Sequence, residues 1–95
     1  MLSSEVYNER PKKIVERLTK ILKPLGYTFG YNNRGFLFCI KKGNQSKPYP
    51  YFYKDRRGRI HMRLRLNRDD IWDKCIDKET NEWLAYYVYK EIIKR

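Results

Sequence analysis

The chain has 95 residues, with 22 Lys and Arg against 11 Asp and Glu, a net charge of +11 and an aromatic fraction of 16%. This length fits one domain, and the aromatic content argues against a disordered chain. No apolar run approaches the ~18 residues that span a membrane, and residues 1–16 lack the apolar segment of a signal peptide. We therefore expect one cytoplasmic domain over residues 1–95, with residues 1–8 as a flexible arm, no membrane partner and polyanions as the first class of partner.

Cys39 and Cys75 each lie within an apolar stretch, which favours buried free thiols over a disulfide. Together with His61, the single histidine, they do not form a zinc-binding spacing. The sequence predicts neither a metal site nor another cofactor.

The first predicted element is a helix that begins near Asn8. Ile14, Leu18 and Leu22 recur at helical spacing, and Pro24 with the following Gly26 ends the pattern. Alternating apolar residues then predict two β-hairpins, with strands over residues 27–31, 36–41, 49–54 and 59–67. Residues 43–48 read as a polar loop between the hairpins.

Helical spacing returns near the C-terminus. Asp69 and Asp70 suit a first helical turn, a short apolar face follows over residues 71–76, and Thr80 is a candidate second N-cap. The predicted fold is therefore α+β: an N-terminal helix, a three- to four-stranded antiparallel sheet and a C-terminal helix, with both helices on one sheet face.

This order of elements resembles the topology of double-stranded-RNA-binding domains and of HicA-type mRNA-interferase toxins. Leu25-Gly26-Tyr27 is similar to the helix-to-strand junction of the toxins. The Gly-Ser-His segment of that family is absent, so no residue roles are carried over.

The positive charge is concentrated in the predicted sheet. Residues 36–68 hold ten basic side chains and one acidic one, Asp55. In the last predicted strand Ile60, Met62, Leu64 and Leu66 alternate with basic residues, so the basic set shares one face. An ordinary solvated sheet face is the alternative, but such a face mixes in acidic and neutral polar residues.

Tyrosines of the preceding strand can join this basic face. If Phe52 faces the core, Tyr51 and Tyr53 lie beside the arginines, where they could stack on unpaired bases. The candidate nucleic-acid-binding residues are Arg56, Arg57, Arg59, His61, Arg63, Arg65, Tyr51 and Tyr53, together with Lys12, Lys13, Lys20 and Lys23 of the first helix.

Catalytic chemistry has little support in the sequence. His61 lies between arginines, whose charge disfavours imidazolium and could tune the ring as a base in a ribonuclease-like site. A single histidine among arginines is more typical of a stacking or phosphate contact, so a ribonuclease-type toxin using His61 is a weak alternative. Asp69, Asp73 and Asp77 could form one acidic helix stripe, which is more typical of a solvated helix face than of a metal nuclease. We predict no catalytic residues.

The C-terminal helix carries more aromatic residues than a two-layer core needs. Trp83, Tyr86, Tyr89 and Ile93 are candidate protein-interface residues, since Trp and Tyr are favoured interface anchors. The main expectation is a non-catalytic protein that binds DNA or RNA. The alternative is an inhibitor or accessory module that docks on a second copy of itself or on a nucleic-acid-processing protein.

Overall fold

Two helices flank a run of strands, which confirms the predicted α+β class. The computed structural model describes residues 10–33 and 35–95, so the arm expected at residues 1–8 lies outside the described residues. In chain order the elements are α1 (Arg10–Leu22), a 3-10 turn (Lys23–Leu25), β1 (Thr28–Tyr31), β2 (Leu37–Lys42), β3 (Gln45–Lys47), β4 (Pro50–Lys54), β5 (Ile60–Arg65), β6 (Ile71–Cys75) and α2 (Asn81–Lys94).

The apolar spacing of α1 accounts for its packing. Ile14, Leu18 and Leu22 are fully buried, as the helical pattern predicts. Pro24 lies in the 3-10 turn, and Gly26 ends it with a φ of 90°, a conformation that glycine adopts at little cost. The predicted end of the first helix is therefore confirmed.

The strands within the described residues form two antiparallel sheets of three strands each, where the sequence predicts one sheet of three or four. The first sheet has the order β1-β2-β3 and the second β4-β5-β6. In the second sheet Tyr53 lies opposite His61 and Tyr51 opposite Arg63, which in turn lies opposite Asp73. β5 is therefore the central strand that fixes both neighbours.

One of the additional strands is β3, which lies in the predicted polar loop. Lys42 pairs with Gln45, so Gly43 and Asn44 form a two-residue hairpin turn, with Gly43 at a φ of 61°. Gly-Asn is a known signal for such a turn. The prediction of a loop was wrong because the residues of β3 are polar and lie at the sheet edge, where no apolar alternation marks a strand.

The other additional strand is β6, where the sequence predicts the start of the last helix. Trp72 pairs with Leu64 on the inner side of the sheet, and Asp73 faces outward opposite Arg63. Short apolar runs do not distinguish a helix from a strand by spacing alone, and pairing with β5 decides the outcome here. The expected acidic helix stripe of Asp69, Asp73 and Asp77 is therefore not formed.

A single core joins both helices to the inner faces of the two sheets. Met62 and Leu64 of β5 are fully buried, and Ile60 and Leu66 pack partly buried against the same core, as predicted. Neither of the two helices in the described residues has the length and apolar character that crossing a membrane requires. The fully buried apolar side chains of the described residues are Pro11, Ile14, Leu18, Leu22, Ile40, Met62, Leu64, Ile76, Leu84, Ala85, Val88 and Ile92.

Hydrogen bonds at the start of α2 hold this helix in position relative to α1 and β6. Thr80 is the N-cap, and its hydroxyl accepts a hydrogen bond from the backbone N–H of Trp83 at 3.0 Å, which confirms the predicted cap. The Arg10 guanidinium donates to the backbone carbonyls of Ile76 and Glu79 and to the side chain of Asn81. The connection from β6 to α2 is thereby tied to the beginning of α1.

The alternation along β5 predicts opposite effects for neighbouring substitutions. Leu64→Ala should lower the free energy of unfolding by about 2–5 kcal/mol, because it opens a cavity in the core. Arg65→Ala, at the exposed neighbouring position, should change it by no more than about 0.5 kcal/mol. Urea unfolding followed by tryptophan fluorescence measures both, and comparable losses would contradict the assigned facing of β5.

Candidate nucleic-acid interface

The exposed side of the β4-β5-β6 sheet brings together much of the predicted binding set. Phe52 is buried, so Tyr51 and Tyr53 point to the opposite side, which is the arrangement that places them beside the arginines. We call this side the outer face, and define it by Tyr51, Tyr53, His61, Arg63, Arg65 and Asp73.

Asp73 is the acidic centre of the outer face. Its carboxylate accepts hydrogen bonds from the hydroxyl of Tyr53 at 2.5 Å, from Nε of Arg63 at 2.9 Å and from Nδ1 of His61 at 2.9 Å. The other ring nitrogen of His61 lies 2.8 Å from Oδ2 of Asp55, which also accepts from Nε of Arg59 at 3.1 Å. We call Asp55, His61 and Asp73 the histidine clamp.

Two carboxylates in the clamp favour the charged form of the imidazole. The hydrogen bond to Asp55 and then that to Asp73 raise the pKa of His61 above its ordinary value. The His61 hydrogen bond in turn lowers the pKa of Asp55 well below its usual range. Burial alone would raise the pKa of Asp73, but hydrogen bonds from Tyr53, His61 and Arg63 outweigh it and lower that pKa. The expectation that neighbouring arginines disfavour imidazolium was therefore wrong, since the carboxylates lie closer.

The clamp acts as a cross-link between elements. Asp55 belongs to the turn between β4 and β5, and Asp73 belongs to β6, so His61 joins the turn to the sheet edge. Because both ring nitrogens are hydrogen-bonded, proton exchange with a bound substrate would require one of these bonds to break. Among the described residues, no group of three His, Cys, Asp or Glu side chains is arranged to hold a metal ion.

A cleft of about 360 Å³ lies at one end of the outer face, where the chain passes from β3 to β4. Its walls include two half-exposed rings, Tyr49 at 43% and Tyr51 at 52% exposure. The complete lining is Lys47, Pro48, Tyr49, Tyr51, Arg63 and Arg65, with no carboxylate. In the part of the chain that the structure describes, Lys47 and Arg65 have no ion-pair partner.

The turn at the other end of β4 presents further predicted arginines. Arg56 and Arg57 are exposed, and the Asp55 side chain accepts the backbone N–H groups of Arg57 and Arg59, which holds the turn in shape. The Arg59 side chain is committed to Asp55. The turn therefore offers two free cations at a position separated from the cleft by the histidine clamp.

The predicted lysines of α1 are not brought to this site. Lys12, Lys13, Lys20 and Lys23 are all exposed. Lys13 and Lys20 line a separate groove between α1 and the start of α2, and α1 packs on the inner side of the sheets. One nucleic-acid strand lying on the outer face would not contact them.

The predicted interface residues of α2 differ in how much of each side chain is exposed to solvent. Tyr86 and Ile93 are 53% and 48% exposed, whereas Tyr89 is half-buried and packs against the core. Trp83 is exposed, but its ring stacks on Tyr87 with centroids 5.5 Å apart and lies under the Lys74 ammonium. Tyr86 and Ile93 are thus the most exposed members of the set, although the Lys90 ammonium lies over the Tyr86 ring at 5.5 Å and the Tyr89 ring lies 6.0 Å from it.

The sequence analysis missed three residues of the candidate site: Asp73 on the outer face, and Lys47 and Tyr49 in the cleft beside it. Asp73 was assigned to a helix, so its contact with His61 and Arg63 was not foreseen. Lys47 and Tyr49 line the cleft but lie in or beside the predicted loop. The flanking prolines of Lys47-Pro48-Tyr49-Pro50 were a usable signal, because they favour an extended chain that presents alternate side chains.

The raised pKa of His61 predicts a loss of stability as the pH rises. An imidazolium paired with two carboxylates stabilises the folded state fully below the ordinary histidine pKa of about 6.5, and this contribution disappears as the pH rises through the folded-state pKa. Between about pH 6.5 and pH 9 the melting temperature of the wild type should therefore fall more than that of His61→Gln, whose amide does not titrate.

Asp55→Asn is the matched control for this measurement. It keeps the imidazole but removes one carboxylate, so the pH-dependent fall should lie between those of the wild type and His61→Gln. Differential scanning fluorimetry at each pH measures the melting temperatures. If the melting temperature falls equally with pH in the wild type and in His61→Gln, a charged His61 in the clamp is contradicted.

No protein-family model, curated protein or solved structure matches the chain. Any function assigned to it therefore depends on the chemistry of its own side chains.

Proposed function

We propose that this protein binds nucleic acid non-catalytically through the outer face of its β4-β5-β6 sheet. The observation that carries the proposal is the cleft, in which the cations Lys47, Arg63 and Arg65 surround two half-exposed tyrosine rings without any carboxylate. Cations bind the phosphate backbone, and aromatic rings stack on bases. Under this proposal the protein acts in the cytoplasm, where DNA or RNA is accessible to it.

Charge pairing divides the basic residues of the sheet into two groups. Arg59 and Arg63 are hydrogen-bonded to Asp55 and Asp73, and the charge of His61 is balanced by the same carboxylates. Arg65 and Lys47 in the cleft, and Arg56 and Arg57 at the turn, have no ion-pair partner in residues 10–33 and 35–95. We assign phosphate contacts to these four cations, because binding a phosphate does not require them to break an existing ion pair.

Arginine chemistry favours Arg65 as the main contact. A guanidinium offers five N–H donors in a planar fork that matches a phosphate group. Arg63 is more committed, because its Nε donates to Asp73 and its guanidinium lies over the Tyr53 ring at 5.1 Å. The sheet supports both side chains from the same buried strand, which fixes their spacing at ~6–7 Å.

The division into free and paired arginines predicts which substitution matters most. Arg65→Ala should weaken binding by about tenfold and make the plot of log K against log salt less steep by about one unit, since one phosphate contact is lost. Lys12→Ala, an exposed cation on α1, is the control and should leave affinity nearly unchanged. Fluorescence anisotropy with labelled single- and double-stranded DNA and RNA provides the measurement. An absence of binding to all four types at low salt would remove the proposal.

A second candidate function is self-association through α2. Tyr86 and Ile93 lie seven positions apart on the exposed side of this helix and are about half exposed. Two copies of α2 in antiparallel contact would cover the Tyr86 and Ile93 side chains of each copy. Docking on a nucleic-acid-processing protein is the other use of the same side.

Light scattering on a gel-filtration column tests this candidate. We expect a dimer at high protein concentration that Tyr86→Ser with Ile93→Ser converts to a monomer, because the substitutions remove the exposed apolar area. Lys78→Ser, an exposed residue outside α2, is the control. A wild-type monomer across the accessible concentration range would exclude self-association, leaving a different protein partner for α2.

A further inference from the structure

We propose that the cleft receives one unpaired base, so that the ligand of this protein is single-stranded nucleic acid rather than a duplex. This inference rests on the proposed nucleic-acid binding and specifies its ligand. It follows from the placement of the tyrosines, the stiffness of the segment that carries one of them, and the cations beside them.

The three tyrosines around β4 are not equally available for stacking on a base. Tyr53 is occupied within the protein: its ring lies 5.0 Å from that of His61, the Arg63 guanidinium lies over it at 5.1 Å, and its hydroxyl is bonded to Asp73. Tyr51 is half exposed, lies nearly parallel to Tyr53 at 6.1 Å and borders the cleft. Tyr51 is therefore the ring that a base can cover.

Tyr53 and the histidine clamp act as the support for Tyr51. The hydroxyl bond to Asp73 and the contact with His61 hold the Tyr53 ring in place on the sheet. A ring held beside another fixed ring loses little conformational freedom when a ligand binds, which favours affinity. The clamp thus contributes to binding by positioning and makes no contact with the ligand.

Two prolines restrict the wall of the cleft that faces Tyr51. Tyr49 lies between Pro48 and Pro50, and both Lys47 and Tyr49 directly precede a proline. A residue before proline is confined to extended conformations, and proline itself has a fixed φ. The backbone at Tyr49 and Lys47 is therefore largely set before a ligand arrives.

The size and charge of the cleft fit a single nucleotide. Its volume of about 360 Å³ lies at the lower end of the range of small-molecule sites, about 300–1,000 Å³. Arg65 and Lys47 can take the phosphate while the base lies against Tyr51, and no carboxylate in the lining repels the phosphate. The cleft thus provides both halves of a nucleotide-binding site.

A duplex cannot use this arrangement without opening. In a duplex the faces of each base are covered by the neighbouring base pairs, and extruding a base costs a few kcal/mol. A single strand presents its base faces at no such cost, and stacking on an aromatic side chain contributes about 1–3 kcal/mol per base. The cleft therefore favours single strands over duplexes of the same sequence.

The test compares four labelled probes of about 12 nucleotides, a length within the usual range for one binding domain. They are oligothymidylate, oligouridylate, the oligothymidylate–oligodeoxyadenylate duplex, and an abasic strand that keeps the phosphates but lacks the bases. The variants are Tyr51→Leu, which removes the ring, and Tyr51→Phe, which removes only the hydroxyl. Phe38→Leu, a similarly exposed aromatic residue on β2 outside both proposed binding surfaces, is the matched control.

We expect at least one single-stranded probe to bind about tenfold more tightly than the duplex and the abasic strand. Tyr51→Leu should lose about tenfold on that probe and nothing on the abasic strand, whereas Tyr51→Phe and Phe38→Leu should bind like the wild type. A preference between the thymidylate and uridylate probes is assigned to the sugar, and so to DNA or RNA, if oligodeoxyuridylate binds like oligothymidylate.

Two results would overturn the inference in distinguishable ways. If the duplex or the abasic strand binds the wild type as tightly as the single strands, the protein binds phosphates alone, and only the single-strand inference fails. If no probe binds at low salt, the proposed function fails with it. The wild-type comparison does not depend on any variant, so a folding defect in Tyr51→Leu leaves the test decisive.

Discussion

Strand β5 is the constraint on which the rest of the structure depends. It is the central strand of its sheet, and its alternation sends Met62 and Leu64 into the core while His61, Arg63 and Arg65 face outward. A shift of one residue in its pairing would place arginines in the core, which is energetically prohibitive. Burial of two apolar side chains thus fixes both the packing of the helices and the position of every basic residue on the outer face.

Asp73 changes what the outer face can do. Without it, the face would carry an unbroken row of cations, as the composition of residues 36–68 indicates. With it, His61 and Arg63 are paired, Tyr53 is held in place, and the free cations are confined to the cleft and the turn. The face therefore has two separate basic ends, and of these two the cleft is the one that combines cations with exposed rings.

The sequence predicts those parts of the fold that depend on strong local patterns. Helix α1, the β4–β5 hairpin and the Thr80 cap follow from apolar spacing, a glycine-containing turn and a hydroxyl at the right position. β3 and β6 do not, because each is an edge strand stabilised by its partner: Gln45–Lys47 is polar, and the apolar residues of Ile71–Cys75 also fit a helix. Both strands are stabilised by pairing with residues that are distant in the sequence, so their own sequences carry no pattern that predicts a strand.

The same reason limits what the sequence says about the candidate site. The outward set of β5 and the shared face of Tyr51 and Tyr53 follow from alternation. The histidine clamp does not, because Asp73 lies 12 positions from His61 and reaches it only through the pairing of β6. The cleft likewise requires the β3–β4 connection to lie beside β5, which no pattern in Lys47-Pro48-Tyr49-Pro50 specifies by itself.

Nuclear magnetic resonance offers the most direct test of the central claim, that the outer face binds nucleic acid at the cleft. Backbone amide shifts of the labelled protein would be followed during titration with a short single-stranded oligonucleotide. The account predicts the largest changes at Tyr49, Tyr51, Arg63 and Arg65, with smaller changes at Arg56 and Arg57 and almost none along α2. Changes concentrated on α1 or α2, with the amides of β4 and β5 unmoved, would contradict it.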